Sequence, residues 1–185
     1  SDRDWKRVSR YNRSYAYAES DDLREWKKHQ LMFVMDADDP ADTELYQFSA
    51  HKFGHIYVGY MSVYRLIPES IDIQLATSRD GLNFTRVCRR EPFIPSGPDA
   101  GYYDYMAMGC TQPEPIVVDN THYIYYAALN YTHAGSEESL DPVQVRGGAA
   151  LATFKRDRFA SLETGEIRSG PARVVTKPFT VQHSK

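Results

Sequence analysis

Four acids stand just ahead of strand-like runs rich in tyrosine: Glu114 opens EPIVVDNTHYIYY, Asp104 lies in GYYDYMAM, and Asp42 and Glu44 lie in DPADTELYQF. Carboxyl groups so placed can work in pairs, one protonated to release a leaving group by giving it a proton and one ionised to activate water or attack carbon. Tyr46 near Glu44 and Tyr103 beside Asp104 would give such a pair an aromatic wall. His51, further along the run that contains Tyr46, adds an imidazole, and Arg13 and Arg79 add cations able to hold hydroxyl or carboxylate groups. Each acid also has a plainer reading as a solvated loop carboxylate. His55 and His122 stand at turns and read as structural, while His133 begins a polar insertion. Neither the histidines nor Cys88 and Cys110 have metal-ligand spacing, so no metal and no other cofactor is expected. The two cysteines read as buried free thiols in preference to a disulfide.

The elements that must position these groups are strands. Tyrosine accounts for 14 of 185 residues, a bias toward pleated, half-buried surfaces. A tyrosine face also covers the apolar side of a pyranose while its hydroxyl meets the sugar's own. Strand-like runs recur with turn signals between them, from SYAYAES through EWKKHQLMFV, LYQFSAHKF, HIYVGYMSVY, IDIQLATS, FTRVCRR, EPIVVD, HYIYYAALNY and GAALATF to ARVVT. No apolar period of 3.6 residues lasts three turns, so helix is scarce and the fold class is all-β.

Two internal repeats order the strands. AYAESDDLREW (Ala16 to Trp26) aligns without a gap with QLATSRDGLNF (Gln74 to Phe84), 58 residues later. FGHIYVGY (Phe53 to Tyr60) aligns with NTHYIYYA (Asn120 to Ala127), 67 residues later. In the first repeat Ser20 and Asp22, like Ser78 and Asp80, can bond backbone groups of a tight turn, with the trailing aromatic packed between neighbouring units. Antiparallel four-stranded units at this spacing point to the blades of a β-propeller. On that reading residues 1–40 end one blade, 41–95 form a second, and 96–180 form a third with a polar insertion at 132–146.

The corner Ser-x-Asp-x-x-x-Trp/Phe, the stretches SRDGLNF and EPFIPSG, YYD at 102 to 104 and YIYY at 123 to 126 together resemble the five-bladed propellers of glycoside hydrolase families 32 and 43 and their uncharacterised family-32-like bacterial relatives. The resemblance implies antiparallel four-stranded blades of a five-bladed β-propeller, incomplete within this chain, since five units at about 58 residues need roughly 290. It implies hydrolysis of poly- or oligosaccharide through paired carboxylates, with Glu114, Asp104 and Asp42 as catalytic candidates. Tyr46, His51, Tyr103, Glu44 and Arg13 become the candidate sugar contacts. The motifs of the sucrose- and fructan-cleaving enzymes are absent, which keeps open a carbohydrate-binding propeller without catalysis and a propeller for protein interaction.

The partner expected is therefore carbohydrate. A formal net charge of -3 without long blocks of one sign disfavours nucleic acid, and no apolar run approaches the roughly 18 residues of a membrane helix. The first ten residues lack the apolar core of a signal peptide, and no compartment is assigned. Unpaired strands of a partial ring predict self-association into a homo-oligomer that completes it, or missing blades in a longer chain.

Overall fold

A computed structural model describes residues 13–99, 101–109, 112–133, 147–162, 173–178 and 180. Two strands, β1 (Tyr15–Glu19) and β2 (Lys27–Phe33), form an antiparallel hairpin of their own. The remaining nine share one sheet: β3 (Thr43–Phe53), β4 (Ile56–Arg65), β5 (Ser70–Ser78), β6 (Phe84–Arg86), β7 (Pro92–Ile94), β8 (Ala107–Gly109), β9 (Ile116–Val118), β10 (Thr121–Leu129) and β11 (Gly147–Lys155). Among the described residues one 3-10 turn, Cys88–Arg90, interrupts them.

The main path runs β11-β10-β8-β5-β4-β3, with β6 and β7 paired to β5 and β9 paired to β10. All its pairings are antiparallel except one bridge, Ile71 to Ala107, where β5 and β8 run parallel. The sheet is thus mixed and curls as a half-barrel, with the β10–β11 end folded back over β4 and β5. The all-β class holds. The described strands form one curled sheet and a hairpin, and β3 to β6 are consecutive antiparallel neighbours within it.

The core follows from side-chain alternation. In β10, His122, Ile124, Tyr126 and Ala128 are buried and alternate with more open Tyr123, Tyr125 and Ala127, the period-two pattern of a strand with one covered face. The covered residues Ile124, Tyr126 and Ala128 pack on Val58, Tyr60, Ile73 and Leu75. The opposite face of β4 and β5 carries Met61, Val63 and Ala76, which pack with Leu45 of β3 and with Phe33 and Tyr15 of the hairpin. Both faces of the central strands are therefore buried, one under β1–β2 and the other under β10–β11.

The turn hydrogen bonds form in both corners as the repeat predicts, whereas the trailing aromatic packs in the second copy and not in the first, where Trp26 is 51% exposed. Ser78 Oγ donates to Asp80 Oδ1 at 2.8 Å, and that carboxylate accepts the backbone N–H groups of Leu82 and Asn83 at 2.9 and 2.8 Å. In the first copy Asp22 Oδ1 accepts those of Arg24 and Glu25 at 2.8 and 2.9 Å. Phe84, the trailing aromatic of the second copy, packs against Phe33 and Phe48.

Three further expectations need correction. Cys88 is exposed, because it lies on a surface turn in which Cys88, Arg89 and Arg90 all have positive φ; Cys110 lies outside the described residues. FTRVCRR is a strand only as far as Arg86, since that same turn carries the chain away from β5. Residues 173–178, within the expected last strand ARVVT and beyond, have no regular structure, with Val174 and Val175 open to solvent and paired to no strand among the described residues. Of the polar insertion, only Thr132 and His133 fall within the described residues.

Candidate functional site

The start of β3 gathers the densest set of predicted residues. A bulge between Leu45 and Gln47 makes Tyr46 an extra residue in the strand, and such an insertion re-aims a side chain. The Tyr46 ring meets His133 edge-on, with centroids 4.6 Å apart, and lies 6.0 Å from Tyr64 of β4. Tyr64 and His133 are themselves 5.1 Å apart, so three rings enclose one corner. The Arg13 guanidinium sits 4.6 Å from the Tyr46 centroid, a cation–π distance, and its Nε is 3.4 Å from Glu44 Oε2. Glu44 is buried and the Arg13 side chain is half exposed, so the pair joins the core to the surface. His133 is tied in place by its backbone N–H, which donates to the Glu69 carbonyl at 2.9 Å.

At the far end of β3, His51 stacks on Tyr60 at 5.8 Å. Burial, the largest influence, lowers its pKa, opposed by the Pro113 carbonyl that accepts from the ring and by the Glu114 carboxylate. The ring is therefore neutral at pH 7. Glu114 itself is exposed, and its backbone carbonyl accepts from Gln112 Nε2 at 2.7 Å. Seven residues of strand separate Glu44 from His51, roughly 20 Å at about 3.3 Å per residue. Glu114 and Glu44 thus belong to opposite ends of β3.

Asp104 occupies a third position. Its Oδ2 accepts the Tyr126 hydroxyl at 2.8 Å, while its backbone carbonyl accepts the Gly97 N–H at 3.2 Å. Gly97 has to be glycine here, because a Cβ would lie 2.7 Å from Asp104 Oδ1 and 2.4 Å from Tyr102 Cβ. Burial first, then Asp104 and Tyr103, raise the Tyr126 pKa, so its phenol stays protonated and keeps donating. Tyr102 and Tyr103 beside it are exposed. Asp42 is partly buried at the mouth of β3, where its Oδ2 accepts the Ile67 N–H at 3.2 Å and its carbonyl accepts the Leu66 N–H at 2.8 Å. It clasps the turn between β4 and β5.

Sequence reasoning set these residues around one funnel; the structure groups Glu44, Tyr46 and Arg13 at one corner, His51 near Glu114 at another, and Asp104 with Tyr126 at a third. Sequence reasoning passed over Tyr64 and Tyr126, although alternation within YIYY would have set Tyr126 on the face of Ile124. It also missed a buried ionic chain on the other side of the sheet. Arg86 Nη1 donates to Asp39 Oδ1 at 2.6 Å and Nη2 to Gln74 Oε1 at 2.7 Å; Gln74 Nε2 donates to Asp72 Oδ1 at 2.9 Å. Arg90 joins through Asp39 at 2.9 Å and Asp36 at 2.6 Å. Burial raises the Asp72 carboxyl, with Gln74, Arg65 and Arg86 only partly opposing it. Among the described residues no group of three or more His, Cys, Asp or Glu is arranged to hold a metal ion.

An all-β curled sheet of this shape recurs in solved carbohydrate-active enzymes. Three structures are similar to this chain. A glycoside hydrolase aligns with 82% of it at a TM-score of 0.51 and 21% identity, covering 37% of its own length. An N-acetylgalactosamine deacetylase from F. plautii, solved with blood group B trisaccharide, aligns with 76% at 0.54 and 17%, covering 41% of its own. BT0996, in an RGII complex, aligns with 79% at 0.51 and 22%, covering 37% of its own. The chain therefore spans about two fifths of the length of these proteins. No family model and no curated protein matches the sequence.

Proposed function

We propose that this chain is part of a carbohydrate-active β-propeller of glycoside-hydrolase type, with units ending near residues 40, 95 and 180, and that it contacts poly- or oligosaccharide. The observation that carries the reading is the corner at the start of β3. There a cation paired with Glu44 lies over Tyr46, whose ring clusters with Tyr64 and His133, a combination of apolar rings and fixed polar groups of the kind that sugars require. The similarity to saccharide-acting proteins supports it. In the catalytic form Glu114 and Asp104 are the acids to examine, with Asp42 as a further candidate, Glu44 and Arg13 fixing hydroxyls, and Tyr46, Tyr103 and His51 lining the sugar.

A second reading, binding without hydrolysis, is favoured by what these acids already do. Asp42 clasps a turn, Glu44 pairs with Arg13, and Asp104 holds Tyr126. Glycan-array binding followed by titration calorimetry tests both readings against a protein-interaction propeller, which would bind no sugar. Tyr46→Ala should weaken binding about tenfold, since loss of a stacked ring and its cation–π contact costs on the order of 1–2 kcal/mol. An unchanged affinity would remove this corner from the site. Release of reducing ends, abolished by Glu114→Gln and Asp104→Asn, would separate hydrolysis from binding alone.

A further inference from the structure

Beyond the end of β11 the chain sends one aromatic ring back between the two layers of the sheet. The Phe159 centroid lies 5.0 Å from Phe53 and 6.4 Å from His51 on β3, and 5.3 Å from His122 on β10. It also lies 5.1 Å from Phe154 of β11 and 6.4 Å from Phe93 of β7. Phe159 therefore bridges strands of both layers. His122 is 2% exposed and lies flat on Phe154, with centroids 4.8 Å apart.

The turn that delivers Phe159 is fastened to His122. The Arg156 N–H donates to the Asn120 carbonyl at 2.9 Å and the Arg158 N–H to the Lys155 carbonyl at 3.1 Å. Between them the Asp157 N–H donates to His122 Nε2 at 3.3 Å. An imidazole nitrogen that accepts a hydrogen bond carries no proton, so His122 is neutral here with its proton on Nδ1. That Nδ1 is buried without a hydrogen-bond partner among the described residues. A proton added at Nε2 would set a donor against the Asp157 N–H. The Asp157 carboxylate stands close enough to take it after a small movement, with Oδ1 3.9 Å from Nε2 and 3.8 Å from Arg156 Nε. Asp157 thus offers His122 two different bonds, one for each protonation state.

On the other side of Phe159, His51 is built alike. Its ring donates to the Pro113 carbonyl, and its Nδ1 is buried without a partner among the described residues. The charged and titratable groups near His122 are Asp157 and Arg156 from the turn, and His51 from β3 with Glu114 beside it. Its strand partners on β9 and β11, Val117 and Phe154, carry no charge.

We infer that the turn at 156–159 is a proton-operated latch. With His122 neutral, the Asp157 N–H is bonded to the ring and Phe159 is seated between the layers. With His122 protonated, the Asp157 carboxylate replaces the N–H at Nε2, the turn swings, and Phe159 leaves its seat beside His51 and Phe53. The latch stands on these contacts alone and does not depend on the saccharide reading.

Nuclear magnetic resonance of the wild-type chain from about pH 7.5 to about pH 5 tests it across the range in which histidine titrates. The Asp157 amide proton should move upfield with the midpoint of the His122 ring, and the Overhauser contacts of Phe159 with His122 and Phe154 should disappear. The amides of β4 and β5 should keep their positions. His122→Gln, whose carboxamide oxygen can accept the Asp157 N–H without titrating, should keep Phe159 seated throughout. Asp157→Asn, a residue that tolerates the positive φ of this position, should lower the midpoint by about half a pH unit, because the imidazolium loses an exposed partner. Phe159 contacts that persist in the wild type at the acid end would overturn the inference. So would the same release in folded His122→Gln, an unchanged midpoint in Asp157→Asn, or loss of the β4 and β5 amides together with Phe159, which is unfolding of the whole sheet. If circular dichroism shows His122→Gln misfolded, the wild-type titration and Asp157→Asn still decide. No sugar enters the measurement, so failure of the saccharide reading and failure of the latch are distinguished.

Discussion

The Tyr126 hydroxyl donates to Asp104 Oδ2 at 2.8 Å, fastening an acid of the β7–β8 loop to the inward face of β10. A hydrogen bond to a charged acceptor is worth about 1.5–3 kcal/mol. Tyr126→Phe should lower the unfolding free energy by about that much in urea titrations, with the same far-ultraviolet spectrum. A loss below about 0.5 kcal/mol would mean that water replaces the phenol at Asp104. If Asp104 also contacts sugar, the variant should weaken glycan binding through misplacement of the carboxylate.

Asp39 is the hinge of the ionic chain between the β2–β3 loop and β6. Its side chain is 1% exposed and it receives both Arg86 and Arg90. Removing one partner of a buried pair strands the other charge, so Asp39→Ala should cost about 3–5 kcal/mol. Burial works to raise the Asp39 carboxyl, but the hydrogen bonds from Arg86 and the Asp36 N–H outweigh it and hold the group below the ordinary carboxylate range. The unfolded chain then takes up this proton first. Stability from Asp39 is complete above its unfolded value of about 3.9 and drains away as pH falls through the lower folded value. In Asp39→Asn the acid limb of a melting-temperature profile should flatten.

His51 predicts a second pH dependence of the same sign at milder acidity. Burial depresses its folded pKa, with the Pro113 carbonyl and Glu114 opposing and His122 adding to the shift. Below the unfolded value of about 6.5 the unfolded state binds a proton that the folded state resists, so stability declines as pH drops from about 6.5. His51→Gln should remove that part of the decline. An identical slope in wild type and variant between about pH 6.5 and 5 would count against it.

Gly59 lies where β4 crosses the Phe48 and Phe84 rings. A Cβ there would stand 2.5 Å from Phe48 Cζ, and Phe48 is hemmed in by Tyr15, Phe33 and Phe84. Gly59→Ala should therefore destabilise by about 1–3 kcal/mol through overpacking. The comparison is Gly148→Ala, where a Cβ meets nothing within 4 Å and the change should be small.

Much of the fold was legible because its determinants are local. Alternation in THYIYYAAL sets a strand with one covered face, and Asp80 reaches backbone groups only two and three residues away. These features require no knowledge of distant partners, so the all-β class and the paired corners could be read from the chain. What the sequence could not determine is which acids meet. Glu44, Asp104 and Glu114 look equivalent as carboxylates ahead of tyrosine-rich strands, but sheet register and curl send them to Arg13, to Tyr126 and to the neighbourhood of His51. The Asp39–Arg86 pair, 47 residues apart, was likewise invisible, because a long-range ion pair leaves no period and no turn signal in the sequence. Local hydrogen bonds and side-chain alternation are written within a few residues, whereas the meeting of side chains across strands is decided only when the sheet curls and buries them together.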